Sequence, residues 1–247
     1  MIRTSVLFAS LGILLVAAPA GATDLTVMSF NIWGGGVNAK KPVDETVAAI
    51  KAVNPDIIGI QETKAEPDPC TAESCRAAGK SAAEAIAKAL GYYYYDQSQD
   101  NVALWANAII SRYPIGKPTP NDLGVEITVD GRKVMAYNIH LTDFPYQPYQ
   151  LLDIEYGTAP FLKTAAEAEL AARNTRGPAL DLLEKDMQAA KDADAVFVFG
   201  DFNEPSHLDW TAEAVKAGYQ PMVVAYPSAM RIESWGFVDL FRAAWPD

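Results

Sequence analysis

The stretch Ala195-Val-Phe-Val-Phe-Gly-Asp-Phe-Asn203 decides the fold of this chain more than any other segment. Its first five residues contain no polar break and are mostly β-branched or aromatic, which predicts a strand buried on both faces. Gly200 is expected to let the backbone leave the sheet, and at a period of two Asp201 and Asn203 then project to one side. Ligands bind at this end of the strands in open sheets, so we predict a polar site here. An Asx turn that closes the strand is the alternative.

Hydrophobic periodicity along the rest of the chain predicts alternating strands and helices. Strands are predicted over residues 25–30, 56–60, 92–95, 102–110, 123–129 and 133–137, with a hairpin turn at Asp130-Gly131. Helices are predicted over residues 42–53, 81–90 and 209–217, and two more within 161–190, separated at Gly177-Pro178. This order indicates a layered α/β fold, and with no repeat or linker we predict one domain over residues 23–247.

Residues 1–22 predict an export signal that does not belong to the core. Arg3 gives a basic start, residues 6–18 form an apolar stretch too short to span a bilayer, and Ala20-Gly-Ala22 fits a cleavage site. An uncleaved N-terminal anchor is the alternative. No later stretch is apolar for long enough to cross a membrane. We therefore expect a secreted or periplasmic protein, cleaved near Ala22, without stable membrane insertion.

The charge of the chain argues against long polyanions as partners. The 247 residues carry a formal charge of −11, and removing residues 1–22 takes away Arg3 and no acid, which gives −12. Lys and Arg are scattered, with Lys40-Lys41 and Arg132-Lys133 the only adjacent pairs. Such a surface repels DNA and RNA. A small anion held through a metal ion is still compatible with it.

The two cysteines, Cys70 and Cys75, are five residues apart. In an exported protein such a pair usually forms a disulfide. The metal-site alternative lacks neighbouring His or further Cys residues. We predict a local disulfide that stiffens a surface loop and takes no part in catalysis.

Polar residues suited to metal or phosphate chemistry follow several of the predicted strands. They are Asn31, Glu62, His140, Asp201 and Asn203. Oxygen ligands of this kind suit a hard cation such as Mg²⁺, which engages one or two carboxylates and keeps several waters. A zinc site rich in His or Cys is excluded, because the chain has only two His and no Cys is expected to be free.

Five segments occur in the order found in the endonuclease/exonuclease/phosphatase superfamily, which the chain resembles over nearly everything after the signal. They are Ser29-Phe-Asn-Ile-Trp33, Asp56-Ile-Ile-Gly-Ile-Gln-Glu62, Asn107-Ala-Ile-Ile-Ser-Arg-Tyr-Pro114, Asn138-Ile-His-Leu141 and Gly200-Asp-Phe-Asn203. This superfamily includes DNase I-like nucleases, neutral sphingomyelinases and inositol-phosphate phosphatases. The resemblance implies a four-layer α/β sandwich, in which two mostly antiparallel sheets lie face to face with helices outside. The residue pattern alone does not choose that layering.

The resemblance also implies a role for each polar residue. Glu62 would be the principal ligand of a catalytic Mg²⁺, with Mn²⁺ or Ca²⁺ as alternatives, and Asn31 would lie beside it. Asp201 would orient the attacking water. Asn203 would hold one phosphoryl oxygen, and His140 would donate a hydrogen bond to another. Together these roles describe a metal-dependent phosphoric ester hydrolase.

Each of these residues also has a structural explanation. Asn31 could cap the turn toward Gly34, and Glu62 could pair with a surface lysine, although a carboxylate at the end of a buried strand needs some partner. His140 could be a hydrogen-bonded core histidine.

Other residues near the five segments are expected to be mainly structural. His207 could reach the substrate, but we favour it as the cap of the following helix. Asn107 and Arg112 are expected to brace a turn. Three tryptophans either line the pocket or pack in the core: Trp33, Trp105 and Trp210.

The resemblance breaks at the C-terminal end. The superfamily closes with an Arg-Ile-Asp strand and a Ser-Asp-His motif, and neither follows Gly236-Phe-Val-Asp239 here. Arg231-Ile-Glu233 precedes that segment and is not the equivalent. We expect a truncated sequence that lacks the terminal strands and catalytic His, rather than a degraded relative. Loss of such an acid or base costs about 10²–10⁴-fold in rate, and missing strands would leave a sheet edge bare.

The sequence therefore predicts an exported Mg²⁺-dependent phosphoesterase acting on a small or lipid-derived phosphoester. The acidic surface puts a secreted DNase I-like nuclease second. A non-catalytic protein of the same fold that binds a phosphorylated ligand is the alternative from a different class.

Overall fold

The computed structural model describes residues 23–246, and within them eight strands form two sheets of four. The first sheet consists of β1 (Val27–Asn31), β2 (Ile57–Gln61), β3 (Tyr93–Asp96) and β4 (Ala108–Ser111), in the order β1-β2-β4-β3. The second consists of β5 (Ile115–Pro118), β6 (Gly124–Val129), β7 (Arg132–His140) and β8 (Ala195–Asp201), in chain order. The predicted export signal lies outside the described residues.

The helices lie between and after these strands. They are α1 (Val43–Val53), α2 (Ala83–Leu90), α3 (Gln147–Leu151), α4 (Ala165–Asp186), α5 (Ala212–Lys216), α6 (Pro227–Ser234) and α7 (Leu240–Ala244). Short 3₁₀ turns occupy Gly34–Ala39 and Met187–Ala190. Within residues 23–246, no helix has the length and apolar character needed to cross a bilayer.

The sheets are mostly antiparallel, and each contains one parallel pair. β1 runs parallel to β2, and β7 runs parallel to β8, while the other neighbouring strands are antiparallel. The register places Asn31 opposite Gln61 and His140 opposite Asp201. Each parallel pair therefore ends with both strands at the same sheet edge, and these ends carry the polar residues of the sequence motifs.

Apolar side chains fill three layers, which gives the sandwich its four levels. Alternation along β2 explains this, because successive side chains of a strand point to opposite faces. Ile57 contributes to the core between the sheets, while Ile58 and Ile60 pack with residues of α1 and α2. Leu180 of α4 packs on the outer face of the second sheet. The predicted four-layer α/β sandwich of mostly antiparallel sheets is confirmed.

The prediction of two helices separated at Gly177-Pro178 is wrong, because α4 continues through both residues. Pro178 removes one backbone hydrogen bond, which normally ends or kinks a helix. Here Pro178 is exposed, so water can reach the unpaired carbonyl. The buried residues Ala172 and Leu180, on either side of Pro178, keep one face of the helix packed against the protein. Tertiary packing thus outweighs the local signal.

The expectation that Gly200 lets the chain leave the sheet is wrong. Gly200 lies inside β8, where an added Cβ would come within 2.6 Å of the Ile139 carbonyl oxygen of β7. The glycine therefore permits a close approach of two strands. The prediction that β8 is buried on both faces is also wrong, because most of its residues are only half-buried. Among the described strands β8 pairs with β7 alone, so it lies at the edge of the sheet. That free edge borders a groove of about 1490 Å³.

Two predicted elements are shorter than expected. The strand predicted over residues 102–110 begins only at Ala108. The side chains of Asn101 and Asn107 accept hydrogen bonds from the backbone N–H groups of Ala103 and Trp105 at 3.0 and 3.1 Å, and such bonds compete with a strand ladder. The helix predicted over residues 209–217 begins at Ala212.

Candidate functional site

The five predicted site residues converge at one edge of the sandwich. Asn31 ends β1, Glu62 follows β2, His140 ends β7 and Asp201 ends β8, with Asn203 two residues further on. One ligand atom from each of Glu62, His140 and Asp201 can be chosen so that all three lie within 4.8 Å of one another. The parallel pairing within each sheet and the packing of the sheets produce this cluster from residues far apart in the chain.

Asn31 joins the two carboxylates of the cluster. Its Nδ2 donates to Glu62 Oε1 at 2.6 Å and to Asp201 Oδ2 at 3.0 Å. Its Oδ1 accepts a hydrogen bond from the Trp33 N–H at 3.1 Å, which is the turn-capping contact considered as an alternative. An amide nitrogen does not ligate Mg²⁺, so as placed here Asn31 organises the carboxylates. Direct ligation would require its amide to turn.

Glu62 is the carboxylate most suited to a cation. Its Oε2 is buried and makes no hydrogen bond within the described residues. Burial raises the pKa of Glu62, an effect partly offset by the Asn31 hydrogen bond and the nearby His140. Its ion-pair neighbour is His140, with Nε2 4.0 Å from Oε1, rather than a surface lysine. An unpartnered buried oxygen beside a second carboxylate fits a divalent metal ion.

Asp201, the last residue of β8, begins a turn that also contains Asn203. The Asn203 N–H donates to Asp201 Oδ1 at 2.9 Å, so the Asx turn considered as the alternative does form. The same turn holds the Asn203 side chain in the site, where Nδ2 lies 3.0 Å from His140 Nε2 and donates to the Leu141 carbonyl at 2.9 Å. The Asx turn and the polar site were alternatives in the sequence, and the structure contains both, because the turn places Asn203 in the site.

His140 is not a fully hydrogen-bonded core histidine. It is 8 % exposed, and its Nδ1 makes no hydrogen bond to any described residue. The Trp105 indole packs against it in a T-shaped contact, with ring centroids 6.1 Å apart. Trp105 Nε1 in turn donates to the Cys75 carbonyl at 2.7 Å. The predicted disulfide between Cys70 and Cys75 is confirmed, and its loop thus contacts the residue that packs against His140.

His207 lies away from these contacts. Its Nε2 is 3.5 Å from Glu233 Oε2 in α6. The expectation that His207 caps the following helix is wrong, because the Thr211 side chain caps α5 by accepting from the Ala214 N–H at 3.2 Å. A hydroxyl directly before the helix is better placed for this than a ring four residues earlier.

The other motif residues have structural contacts. Asn107 Nδ2 donates to the Asn138 carbonyl at 3.4 Å, and Arg112 pairs with Asp56 at 2.8 Å. Of the remaining tryptophans, Trp210 is buried against Tyr226, whereas Trp33 is exposed beside the site.

The sequence did not identify a buried polar network beneath the site. Asn138 lies between the sheets, with its Nδ2 donating to the carbonyls of Ile60 and Ala108 at 2.9 Å. Its Oδ1 accepts from Gln61 Nε2 at 2.6 Å. The network ties the strand ends of the two sheets together. The signal was the position of Asn138 within a run of otherwise apolar residues.

A second buried polar group was also missed. Glu204, directly after Asn203, lies 3.6 Å from Arg176 of α4, and both side chains are fully buried. Burial raises the pKa of Glu204. Nothing in the sequence pattern distinguishes this pair, because a charged residue in a long helix usually faces solvent.

Comparison with known proteins identifies the family. The sequence profile of the Endonuclease/Exonuclease/phosphatase family matches residues 28–246, and the chain belongs to this family, as its motifs predicted. Members of the family are generally metal-dependent hydrolases acting on phosphoesters. A similar sequence is the uncharacterized protein F14F9.5 of Caenorhabditis elegans, which is 27% identical over 235 residues, covering 90% of this chain and 67% of that protein.

Solved structures show limited similarity. An AP endonuclease from Archaeoglobus fulgidus has a TM-score of 0.46 and 16% identity, covering 91% of this chain and 76% of that one. Sphingomyelinase C from Streptomyces griseocarneus has a TM-score of 0.42 and 16% identity, covering 78% of this chain and 68% of that one. Similarities at this level do not indicate a substrate.

Proposed function

We propose that this protein is an exported, Mg²⁺-dependent phosphoesterase that hydrolyses a small or lipid-derived phosphoester. The observation that carries the proposal is the convergence of Glu62, His140 and Asp201 within 4.8 Å, with one buried Glu62 oxygen unpartnered. Membership of the family supports hydrolysis of a phosphoester. The chemistry of the donors supports the choice of metal, because carboxylate oxygens suit Mg²⁺.

Glu62 is the residue that would hold the ion through its open oxygen, with Asn31 beside it. A bound Mg²⁺ supplies a Lewis acid that offsets charge developing on the phosphoryl oxygens. Asp201 accepts a hydrogen bond from the attacking water and orients it. Asn203 and His140 donate hydrogen bonds to phosphoryl oxygens, and donors fixed in advance stabilise that charge most effectively. The 3.0 Å contact between Asn203 Nδ2 and His140 Nε2 keeps the two side chains adjacent, with Nδ2 as donor and Nε2 as acceptor, and each group would turn its N–H from its present contacts to a bound phosphoryl oxygen.

Charge supports a small substrate over a long nucleic acid. The chain without residues 1–22 carries a formal charge of −12, reached from −11 by the loss of Arg3. This negative charge would repel each of the many phosphates of a long nucleic acid, whereas a small phosphoester is repelled only at the site.

Export is supported by two independent features. One is the signal-like composition of residues 1–22. The other is the bond between Cys70 and Cys75, since disulfides persist mainly in oxidising compartments. We propose a secreted or periplasmic location after cleavage near Ala22.

A substrate panel tests the proposal. Protein produced from the complete gene is recovered from the periplasm or medium. It is assayed with bis-p-nitrophenyl phosphate, sphingomyelin, inositol phosphates and plasmid DNA across a Mg²⁺ titration. Glu62→Gln tests the site, and Glu45→Gln makes the same change at an exposed residue paired with Lys41.

We expect Mg²⁺-dependent release from one of the first three substrates, lost in Glu62→Gln and retained in Glu45→Gln. Nicking of plasmid alone would instead identify a nuclease. Saturable binding of a phosphorylated compound without turnover would identify a binding protein. Protein found only in the cytoplasm would contradict export.

A further inference from the structure

A fully buried ion pair lies directly behind the candidate site. Arg176 in α4 and Glu204 in the turn after β8 have side chains that are 0% and 1% exposed. Arg176 Nη1 lies 3.6 Å from Glu204 Oε2, too far for a strong hydrogen bond. Arg176 Nε and Glu204 Oε2 make no hydrogen bond within residues 23–246.

Such a pair is a poor way to stabilise a fold. Removing two charges from water is unfavourable, and buried pairs can often be replaced by apolar residues without loss of stability. The incomplete hydrogen bonding of Arg176 and Glu204 makes their contribution smaller still. What the pair contacts therefore matters more than the attraction between its charges.

Arg176 contacts the segment that follows β7. Its Nη1 donates to Gln147 Oε1 at 2.5 Å and its Nη2 to the Pro145 carbonyl at 3.5 Å. This segment starts directly after His140, the last residue of β7. A planar guanidinium can hold two acceptors at fixed positions, which an ammonium cannot do as well.

Glu204 is bonded to Asn203 through the backbone and is anchored from a third direction. Its Oε1 accepts a hydrogen bond from the Ser228 N–H in α6 at 2.7 Å. Asn203 has a left-handed backbone with φ of 45°, a conformation that asparagine adopts more readily than most non-glycine residues and that fixes the direction in which the chain continues into Glu204. Glu204 is the next residue in the chain. Its Oε2 faces Arg176 of α4, and its Oε1 is bound by α6.

We propose that Arg176 and Glu204 are positioning residues that set the Asn203 side chain against His140. The inference rests on the proposed function, since it assigns the pair to the hydrolytic site. The contacts form a closed ring. Arg176 binds the segment after His140 through Gln147, and it also pairs with Glu204, the neighbour of Asn203. The ring closes where Asn203 Nδ2 lies 3.0 Å from His140 Nε2.

A purely structural role would join α4, α6 and the loops without affecting the site. The matched control for that role is Arg231 of α6, which pairs with Asp181 and Glu184 of α4 at 2.7 and 2.6 Å. Arg231→Gln thus removes an arginine between the same two helices without touching either loop of the site.

The test compares Arg176→Met, Glu204→Gln, the double variant Arg176→Met with Glu204→Met, and Arg231→Gln. For each we measure the melting temperature, kcat and KM at saturating Mg²⁺ on the best substrate of the panel, and hydrogen exchange of the Asn203 amide. We expect both single variants to lose stability, because each leaves one buried charge unpaired. The double variant recovers the melting temperature.

The positioning role predicts that the double variant does not recover activity. Its kcat is expected to be lower by about 10²-fold, the scale of a displacement near 1 Å, with KM close to wild type. Its Asn203 amide exchanges faster, because the bond to Asp201 Oδ1 opens more often. Arg231→Gln retains kcat, KM and exchange. A stable double variant with wild-type kcat and exchange would overturn the proposal.

Arg176→Lys covers the case in which the double variant fails to fold. It keeps the charge next to Glu204 but loses the fork that holds Pro145 and Gln147. We expect a folded protein with lower kcat and faster Asn203 exchange, and unchanged values of both would overturn the inference. If wild-type protein hydrolyses no substrate, the proposed function fails separately, and the exchange measurement still decides whether the pair holds Asn203.

Discussion

The carboxylate of Asp186 is fully buried and that of Glu62 is largely buried, yet their hydrogen-bond partners differ completely. Asp186 accepts hydrogen bonds from the Thr119 hydroxyl at 2.5 Å and from the Asn121 and Leu123 N–H groups at 3.0 and 3.2 Å. The Asn121 side-chain amide adds a fourth donor at 2.8 Å. Glu62 receives one donor, from Asn31, and its second oxygen receives none within the described residues.

The comparison separates a carboxylate whose charge the protein compensates from one whose charge it leaves partly uncompensated. A buried carboxylate surrounded by donors stabilises the fold, because its charge is compensated by the protein itself. A buried carboxylate with an open oxygen destabilises the fold until something else compensates it. Strain of this kind is typical of sites that bind a ligand, and stability is commonly lost where function requires it. These surroundings support our proposal that Glu62 is a metal ligand and that Asp186 stabilises the fold.

The largest expected effect is on turnover. Asp201→Asn removes the acceptor that we assign to the attacking water, so kcat per folded molecule should fall by about 10²–10⁴-fold. The exposed Asp153, paired with Lys163, offers Asp153→Asn as the control. Steady-state kinetics on both variants measure this. Near-normal turnover in Asp201→Asn would remove Asp201 from the mechanism.

Asp186→Asn should show the opposite pattern. The new amide group presents a donor to a pocket that already holds four donors, so we expect a loss of about 1–3 kcal/mol in the free energy of unfolding. Activity per folded molecule should be retained. Urea denaturation followed by kinetics below the transition measures both. Loss of activity without loss of stability would contradict the assignment of Asp186 to the scaffold.

The stability of the metal-free protein should depend on pH through Glu62. Burial raises its pKa above the ordinary value of 4.5, so the folded state holds this proton more tightly than the unfolded state does. The contribution is thus present at low pH and is lost as pH rises through the folded pKa. With EDTA present, the free energy of unfolding should fall more steeply above pH 4.5 in wild type than in Glu62→Gln. Parallel curves would contradict a perturbed Glu62.

The smallest expected effect concerns the disulfide loop. Cys70→Ser with Cys75→Ser opens a loop of only a few residues, so the loss of stability should be about 2 kcal/mol or less. Because Trp105 contacts both this loop and His140, kcat should also fall by a small factor. Trp105→Phe, which loses only the indole donor and part of the ring, should reproduce the change in kcat. A change in stability alone would show that the loop is independent of the site.

Much of the fold and the composition of the site could be predicted from the sequence, for a local reason. Polar residues such as Asn31, Glu62 and Asp201 stand where apolar strands end, and the structure brings them together. The layering came from the resemblance and not from periodicity, since alternation along a strand does not determine which sheet covers it. The continuity of α4 through Pro178 could not be predicted, because it depends on distant packing.

Long-range polar contacts were the least predictable part. Arg176 and Glu204 are 28 positions apart, and neither has a local pattern that marks it as buried. The orientation of Asn31, with its nitrogen and not its oxygen toward the carboxylates, likewise follows from the neighbours that the fold supplies.

Metal binding tests the open oxygen of Glu62 most directly. Isothermal titration of wild type, Glu62→Gln and Asp186→Asn with Mg²⁺, repeated with Mn²⁺, compares the two acids without requiring a substrate. We predict one site in wild type and in folded Asp186→Asn, and at least a tenfold weaker affinity in Glu62→Gln, on the order of 1.4 kcal/mol or more. Equal affinity in wild type and Glu62→Gln would contradict the assignment of Glu62 as the metal ligand.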